Sequence, residues 1–222
     1  MRIRKKVWAE PELQNCSYFI KEPVGFKNCW QDKFYEKQPI HLDLGCGKGV
    51  FLAQIAYNKP DINYIGIDIS QDILGVARRN IEETFQDRSP ENVLLFKYNI
   101  EKLGEVFSAG DGIERIYINF CNPWPKSRGH KKRLTHPRQL EEFFKFLNPG
   151  VEIWFKTDDS SLYLATLRYF KETGMNIKFQ TEDLHSVSGV ENVLTEHEIK
   201  FSAQRIPIKA IVGEYKGGDN EE

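Results

Sequence analysis

The sequence predicts an α/β fold: a doubly wound, mostly parallel sheet of seven strands with an antiparallel closing strand. Three observations carry this. Short apolar, β-rich runs alternate with helical patterns from residue 40 to about residue 171, and alternation of that kind builds parallel sheets. The first run ends in a glycine-rich turn, Gly45-Cys46-Gly47-Lys48-Gly49, that opens a helix. The last two runs, 177–179 and 208–215, read as closing strands and as the antiparallel pair.

Ile40–Leu44 is the first strand, and the helix after its glycine turn runs from about Val50 to Tyr57. Tyr64–Ile69 is the second strand. Ser70 then offers an N-cap to a helix with Leu74, Ala77, Ile81 and Phe85 at helical spacing. Val93–Tyr98 and Ile116–Phe120 are the third and fourth strands. Leu140, Phe143, Phe144 and Leu147 mark a helix stopped by Asn148-Pro149-Gly150. Val151–Phe155 is the fifth strand, followed by a helix from about Ser160 to Lys171 that stops near Gly174. Residues 1–37 have no clear period and are expected to form an arm or lid. A single domain is expected over 38–216, with an acidic tail over 217–222.

A chain of 222 residues fits one domain that buries about 70% of its unfolded surface. Its 40% hydrophobic and 28% charged fractions are those of a globular protein, and a net charge of −1 excludes a binder that is basic overall. Attraction for phosphate must come from local patches, here 126–133 and the start Arg2, Arg4, Lys5, Lys6. The four cysteines form neither a C-x-x-C pair nor a zinc spacing, so reduced thiols, a cytoplasmic location and no metal are expected. No apolar run approaches ~18 residues, which predicts no membrane span. The basic start is not followed by a signal-peptide apolar region.

In a doubly wound sheet ligands bind beyond the carboxyl ends of the strands, and the motifs fall there. Asp43 stands two positions before the first glycine of Gly45-x-Gly47-x-Gly49, which is G-x-G-x-G and not the dinucleotide G-x-G-x-x-G. Such a turn lets backbone approach a ligand, and the helix amino terminus behind it favours a carboxylate. Asp68 closes the second strand, where a carboxylate can accept hydrogen bonds from ribose hydroxyls. Asn99 follows the third strand, in reach of an adenine edge. Acidic groups without a phosphate-binding lysine pattern suit a cofactor carrying a sulfonium and an ammonium but no pyrophosphate, namely S-adenosylmethionine. A strand–turn–helix with incidental acids is the structural alternative.

The second motif is Phe120-Cys121-Asn122-Pro123-Trp124-Pro125-Lys126, followed by Arg128, His130, Lys131, Lys132 and Arg133. Asn122 and Trp124 each precede proline, which predicts extended geometry at both. A stiff platform with one amide and one indole, beside cations for phosphates, points to a nucleic-acid substrate. Trp124 could stack on a base or fill the core.

On these residues, with Phe155-Lys156-Thr157-Asp158 and Thr195-Glu196-His197-Glu198, the chain resembles the tRNA (guanine-N(7)-)-methyltransferase family over roughly residues 40–215. The resemblance implies a Rossmann-like class I methyltransferase fold, tRNA as partner, and 7-methylguanosine in the variable loop as product. It implies that Asp43, Asp68, Asn99 and Asn122 line the cofactor and target-base site. Lys126, Asp158, Thr195, Glu196, His197 and Glu198 would meet the substrate, and Arg128, Lys131, Lys132 and Arg133 its phosphates. The family usually carries Asp at position 122 and an aromatic residue at position 197. Asp158 can also be read as a helix N-cap, and Thr195 with Glu198 as a capping box.

The guanine N7 lone pair carries no proton, so methyl transfer to it needs no general base. Asn122 can position the base as acceptor and donor, whereas Asp could only accept. An amino-directed methyltransferase on RNA or protein, and a non-catalytic RNA-binding relative, are the rival readings. Monomer and homodimer remain open.

Overall fold

The computed structural model describes residues 5–218. Its sheet has the order β1-β4-β3-β2-β5-β6-β8-β7. The strands are β1 (Phe19–Ile20), β2 (Ile40–Leu44), β3 (Asn63–Asp68), β4 (Val93–Lys97), β5 (Ile113–Asn119), β6 (Glu152–Thr157), β7 (Asn176–Thr181) and β8 (Lys209–Glu214). The helices are α1 (Ala9–Gln14), α2 (Val50–Asn58), α3 (Gln71–Thr84), α4 (Pro137–Phe144), α5 (Ser160–Glu172) and α6 (Glu196–Ala203). All pairings from β1 to β6 are parallel, and β8 inserts between β6 and β7 antiparallel to both. The expected architecture holds, with one strand more than the seven read from sequence. The extra strand, β1, is only two residues long and shows no period.

Every residue of β2 is buried, and β3 and β4 are buried but for their last residues. In β4 the covered faces give a continuous apolar run, Val93-Leu94-Leu95-Phe96, whereas β2 buries His41 and Asp43 between its apolar residues. The order reverses between β2 and β5: the chain builds outward to β3 and β4, then returns to the other side of β2. That reversal opens a crevice at the carboxyl ends of β2 and β5.

Residues 5–37, where an arm or lid was expected, are packed against the sheet. Trp30 is fully buried, stacked on Phe96 with ring centroids 5.2 Å apart, and its Nε1–H donates to the Val106 carbonyl at 3.0 Å. Helix α1 lies on α3 so closely that a Cβ on Gly75 would come 2.5 Å from Ala9 Cβ. Glu12 secures the pair through Arg78 at 2.6 Å and Arg79 at 2.5 Å. Arg2 and Arg4 of the basic start, and Asp219, Glu221 and Glu222 of the acidic tail, lie outside the described residues.

Candidate active site

The glycine turn is built by backbone needs. Gly45, Gly47 and Gly49 all have positive φ, at 78°, 55° and 68°, a region costly for residues with a Cβ. Gly49 has a second reason: a Cβ there would lie 2.8 Å from Ala77 Cβ of α3. The turn hangs on β3 through Gly45 and Cys46 N–H donated to the Ile67 carbonyl. Asp68 then accepts from Gly47 N–H at 3.2 Å and Ser70 N–H at 2.8 Å. Ser70 occupies the N-cap of α3, although its side chain makes no capping bond.

Asp43 and Asp68 flank this turn. Burial, with the charge of Asp68 adding to it, pushes the Asp43 carboxyl up to about 7. Asp68 is raised too, by burial, against the backbone N–H groups of Ser70 and Gly47 that favour its ionised form. Across the switch point, Asn119 ends β5. Its side chain favours ionised Asp43, yet both of its buried polar atoms lack a well-formed hydrogen bond among the described residues. Beside Asp68, Ile69 stands exposed. Asn99 caps the 3-10 turn Ile100–Glu105 by accepting from Glu101 N–H at 3.1 Å, which leaves its amide nitrogen to donate outward.

These features fit S-adenosylmethionine. Unused amide donors and acceptors, two carboxyls, a glycine cradle and one exposed apolar side chain match a purine nucleoside with a cationic tail. Two cavities, of about 310 and 470 Å³, lie at the opposite, amino ends of the strands, beside Asn63 and Asn92 and beside Gly112 and Gly150.

After β5 the chain makes the Asn122 loop. Asn122 is exposed and its Oδ1 accepts from Trp124 N–H at 3.0 Å. Trp124 is not extended as its place before proline predicts: its φ is +44°, and Phe120 has φ +52°. Such values cost about 1–2 kcal/mol each in residues with a Cβ and persist where surroundings enforce them. Here the side-chain oxygen of Asn122, accepting from Trp124 N–H, turns that residue back, and the indole seats against Gly129, where a Cβ would come 3.2 Å from the ring. The indole is half-buried, and Lys132 Nζ lies 5.0 Å from its centroid.

Lys126, Arg128, Lys131 and Lys132 are exposed along the 3-10 turn Ser127–Lys132 and its N-cap. Arg133, expected with them as a phosphate ligand, is a correction: it is 2% exposed, and its Nε–H donates to the Pro123 carbonyl at 2.8 Å. The turn ends at Lys132, and Arg133 points inward beneath the loop.

At the end of β6, Asp158 does not cap α5. Asp159 does, accepting from Leu162 N–H at 2.7 Å. The Asp158 carboxylate makes no hydrogen bond among the described residues and remains available beside the crevice. Thr195 and Glu198 form a complete capping box on α6. Glu198 is fully buried and also holds Lys156 at 3.1 Å and Asn192 at 3.0 Å, with His185 at 3.3 Å. Burial opposes charge on Glu198, but Lys156, Asn192 and Thr195 N–H hold its carboxyl below the usual value. Both residues expected as substrate contacts are thus engaged inside the fold. Glu196 and His197 are exposed. Lys48 of the glycine turn reaches Glu196 at 2.5 Å, and His197 stacks on Phe120 at 5.3 Å.

Sequence reasoning gave no role to Asn119, Ile69 or Lys156, the last named only within the Phe155-Lys156-Thr157-Asp158 motif. Asn119 and Ile69 had a usable signal, since each lies at a strand's carboxyl end next to a residue already singled out. Among the described residues no group of three or more His, Cys, Asp or Glu could hold a metal ion, and no helix is long and apolar enough to cross a membrane.

The comparisons agree with this geometry. A family described as "Putative methyltransferase" matches residues 37–211. A tRNA (guanine-N(7)-)-methyltransferase of Clostridium beijerinckii is 50% identical over 214 residues, covering 96% of this chain and 98% of its own. One of Ruminiclostridium cellulolyticum is 47% identical over 219 residues, covering 97% and 93%. Among solved structures, the 16S rRNA methyltransferase KamB aligns with a TM-score of 0.58 at 15% identity, over 81% of this chain and 88% of its own. An antibiotic-related methyltransferase aligns at 0.59 and 17% identity over 96% of each. These two show the fold alone. With near-full-length relatives at about half identity and a methyltransferase crevice at its switch point, the chain belongs to the tRNA (guanine-N(7)-)-methyltransferase family.

Proposed function

We propose that this protein transfers the methyl group of S-adenosylmethionine to N7 of a guanosine in tRNA, in the variable loop. The observation that carries the reading is one juxtaposition. An acidic crevice, Asp43 with Asp68, opens beside the Asn122-Pro123-Trp124 loop, and exposed cations continue directly from that loop. When bound, S-adenosylmethionine supplies an electrophilic methyl group on a sulfonium.

The residues present suit a reaction without proton abstraction. N7 has a free lone pair, and Asn122 does not titrate. Its oxygen already accepts from Trp124 N–H, so its amide NH2 is the group best placed to donate to a base carbonyl. Catalysis then rests on orientation, which can contribute about 7–11 kcal/mol when reacting atoms are aligned. Asp158 and Lys126, whose side chains have no hydrogen-bond partner among the described residues, are the substrate contacts in this reading. Lys126, Arg128, Lys131 and Lys132 take phosphates. The four cysteines are free, in keeping with a cytoplasmic location, and the methyltransferase domain expected over 38–216 extends back to take in α1 and β1.

The test is incubation with labelled S-adenosylmethionine and unmodified bulk tRNA, then digestion to nucleosides. Labelled 7-methylguanosine is expected. Label on an exocyclic amino group would favour the amino-directed reading, and no incorporation would reject methyl transfer.

A further inference from the structure

We propose that Arg133 is a positioning residue for the target base: its buried guanidinium holds the Asn122-Pro123-Trp124 loop in the geometry that methyl transfer requires. The inference rests on the reading above for what the loop does, and on the structure for how it is held.

The loop is short of means to hold itself. Pro123 and Pro125 have no N–H, and Phe120 and Trp124 both sit in the left-handed region, with φ of 52° and 44°. Within the loop the one polar tie is Asn122 Oδ1 to Trp124 N–H, which uses the very side chain that must face the base. The Pro123 carbonyl, between the two, finds its partner ten residues away in Arg133 Nε–H, at 2.8 Å. Arg133 has a rigid footing. The next residue but one, Thr135, is fully buried and shares a 2.7 Å hydrogen bond with Thr166 of α5.

Stability alone does not account for an arginine here. It is 2% exposed, it pairs with no carboxylate among the described residues, and its buried Nη2 has no partner. A buried cation without a counterion is unfavourable, and an apolar side chain of similar length would fill the same space without that cost. What an apolar chain lacks is the N–H aimed at Pro123. A lysine keeps the charge but loses the planar Nε–H and its fixed direction. The geometry therefore selects arginine for the bond it makes.

Two variants test this, Arg133→Lys and Arg133→Met, each with tRNA and S-adenosylmethionine in steady-state assays. Both are expected to lose at least about tenfold in kcat, the scale of small misplacements at a reacting centre. KM for either substrate should stay within threefold, and the salt dependence of tRNA binding should not change. Fluorine NMR of 5-fluorotryptophan protein should show the Trp124 resonance displaced while those of Trp8, Trp30 and Trp154 hold. An unchanged kcat with an unmoved Trp124 resonance overturns the proposal. So does a raised tRNA KM with a salt slope flatter by about 0.9, the mark of a phosphate ligand. If Arg133→Met does not fold by circular dichroism, Arg133→Lys decides. Wild-type protein that makes no methylated nucleoside would sink the functional reading instead, while the Trp124 resonance would still report the clamp.

Discussion

Asp43 is the last residue but one of β2 and Asp68 the last of the neighbouring β3, and the charge of Asp68 adds to burial in lifting the Asp43 carboxyl to about 7. A cofactor of net positive charge favours the ionised form, so its binding expels a proton. Affinity for S-adenosylmethionine should therefore rise with pH between about 5 and 7, by up to tenfold per pH unit, and level off above. Asp43→Asn should flatten the profile. The stability of the protein without cofactor runs the other way. The raised carboxyl binds its proton more tightly folded than unfolded, so stability falls as pH climbs from about 4 to about 7. Titration calorimetry at several pH values checks the first statement; an affinity independent of pH would refute it.

Asn122 is expected to matter for turnover and little for the cofactor. Asn122→Ala should lower kcat by about tenfold or more, with the dissociation constant for S-adenosylmethionine within threefold. Asn122→Asp should keep substantial activity: one carboxylate oxygen can still accept the Trp124 N–H that sets the turn, and the other can accept from a guanine N–H in place of the lost amide donor. A gain of several orders of magnitude in Asn122→Asp would reveal a natural protein that binds RNA and barely methylates it.

With Arg133 withdrawn inside, four exposed cations remain on the basic turn, Lys126, Arg128, Lys131 and Lys132. Counterion release then gives log K against log salt a slope of about −2.8 to −3.6 for tRNA. Replacing Lys131 and Lys132 together with alanine should flatten it by about 1.4–1.8. A slope unmoved by the double change would place the RNA on another face.

Glu198 and Glu196 differ by two positions and in everything else. Glu198→Ala strands Lys156 as a buried, unpaired charge and should cost about 3–5 kcal/mol in urea unfolding. Glu196→Ala breaks only the half-exposed pair with Lys48 and should cost less than about 1 kcal/mol. Equal costs would show that the buried network does not anchor α6.

The parts of the fold that rest on period were legible in the sequence. Val93–Phe96 reads as a buried strand because both faces are covered, and Asp68 was found by standing at a strand's end. What failed has a common cause. Whether Arg133 faces water or core depends on where a 3-10 turn stops, and a run of cations carries no sign of that. Trp124 obeyed the hydrogen bond its N–H donates to Asn122 Oδ1, and the space over Gly129, in preference to its pre-proline habit. The cap of α5 went to Asp159 over its equally suited neighbour. Trp30 showed no pattern because its partners, Phe96 and Phe107, lie more than sixty residues away.

The two-residue strand Phe19–Ile20 has an importance out of proportion to its length. It is the outer neighbour of β4, whose unpaired backbone would otherwise invite another chain. The opposite border is β7, where Lys178 and Gln180 face solvent and a charged side chain discourages strand addition. Sheet growth is thus blocked at both margins by different devices, one a stopper and one a gatekeeper. A truncation that trims the chain to residue 38 would uncork the first margin, and the expected result is aggregation at expression rather than a smaller soluble enzyme.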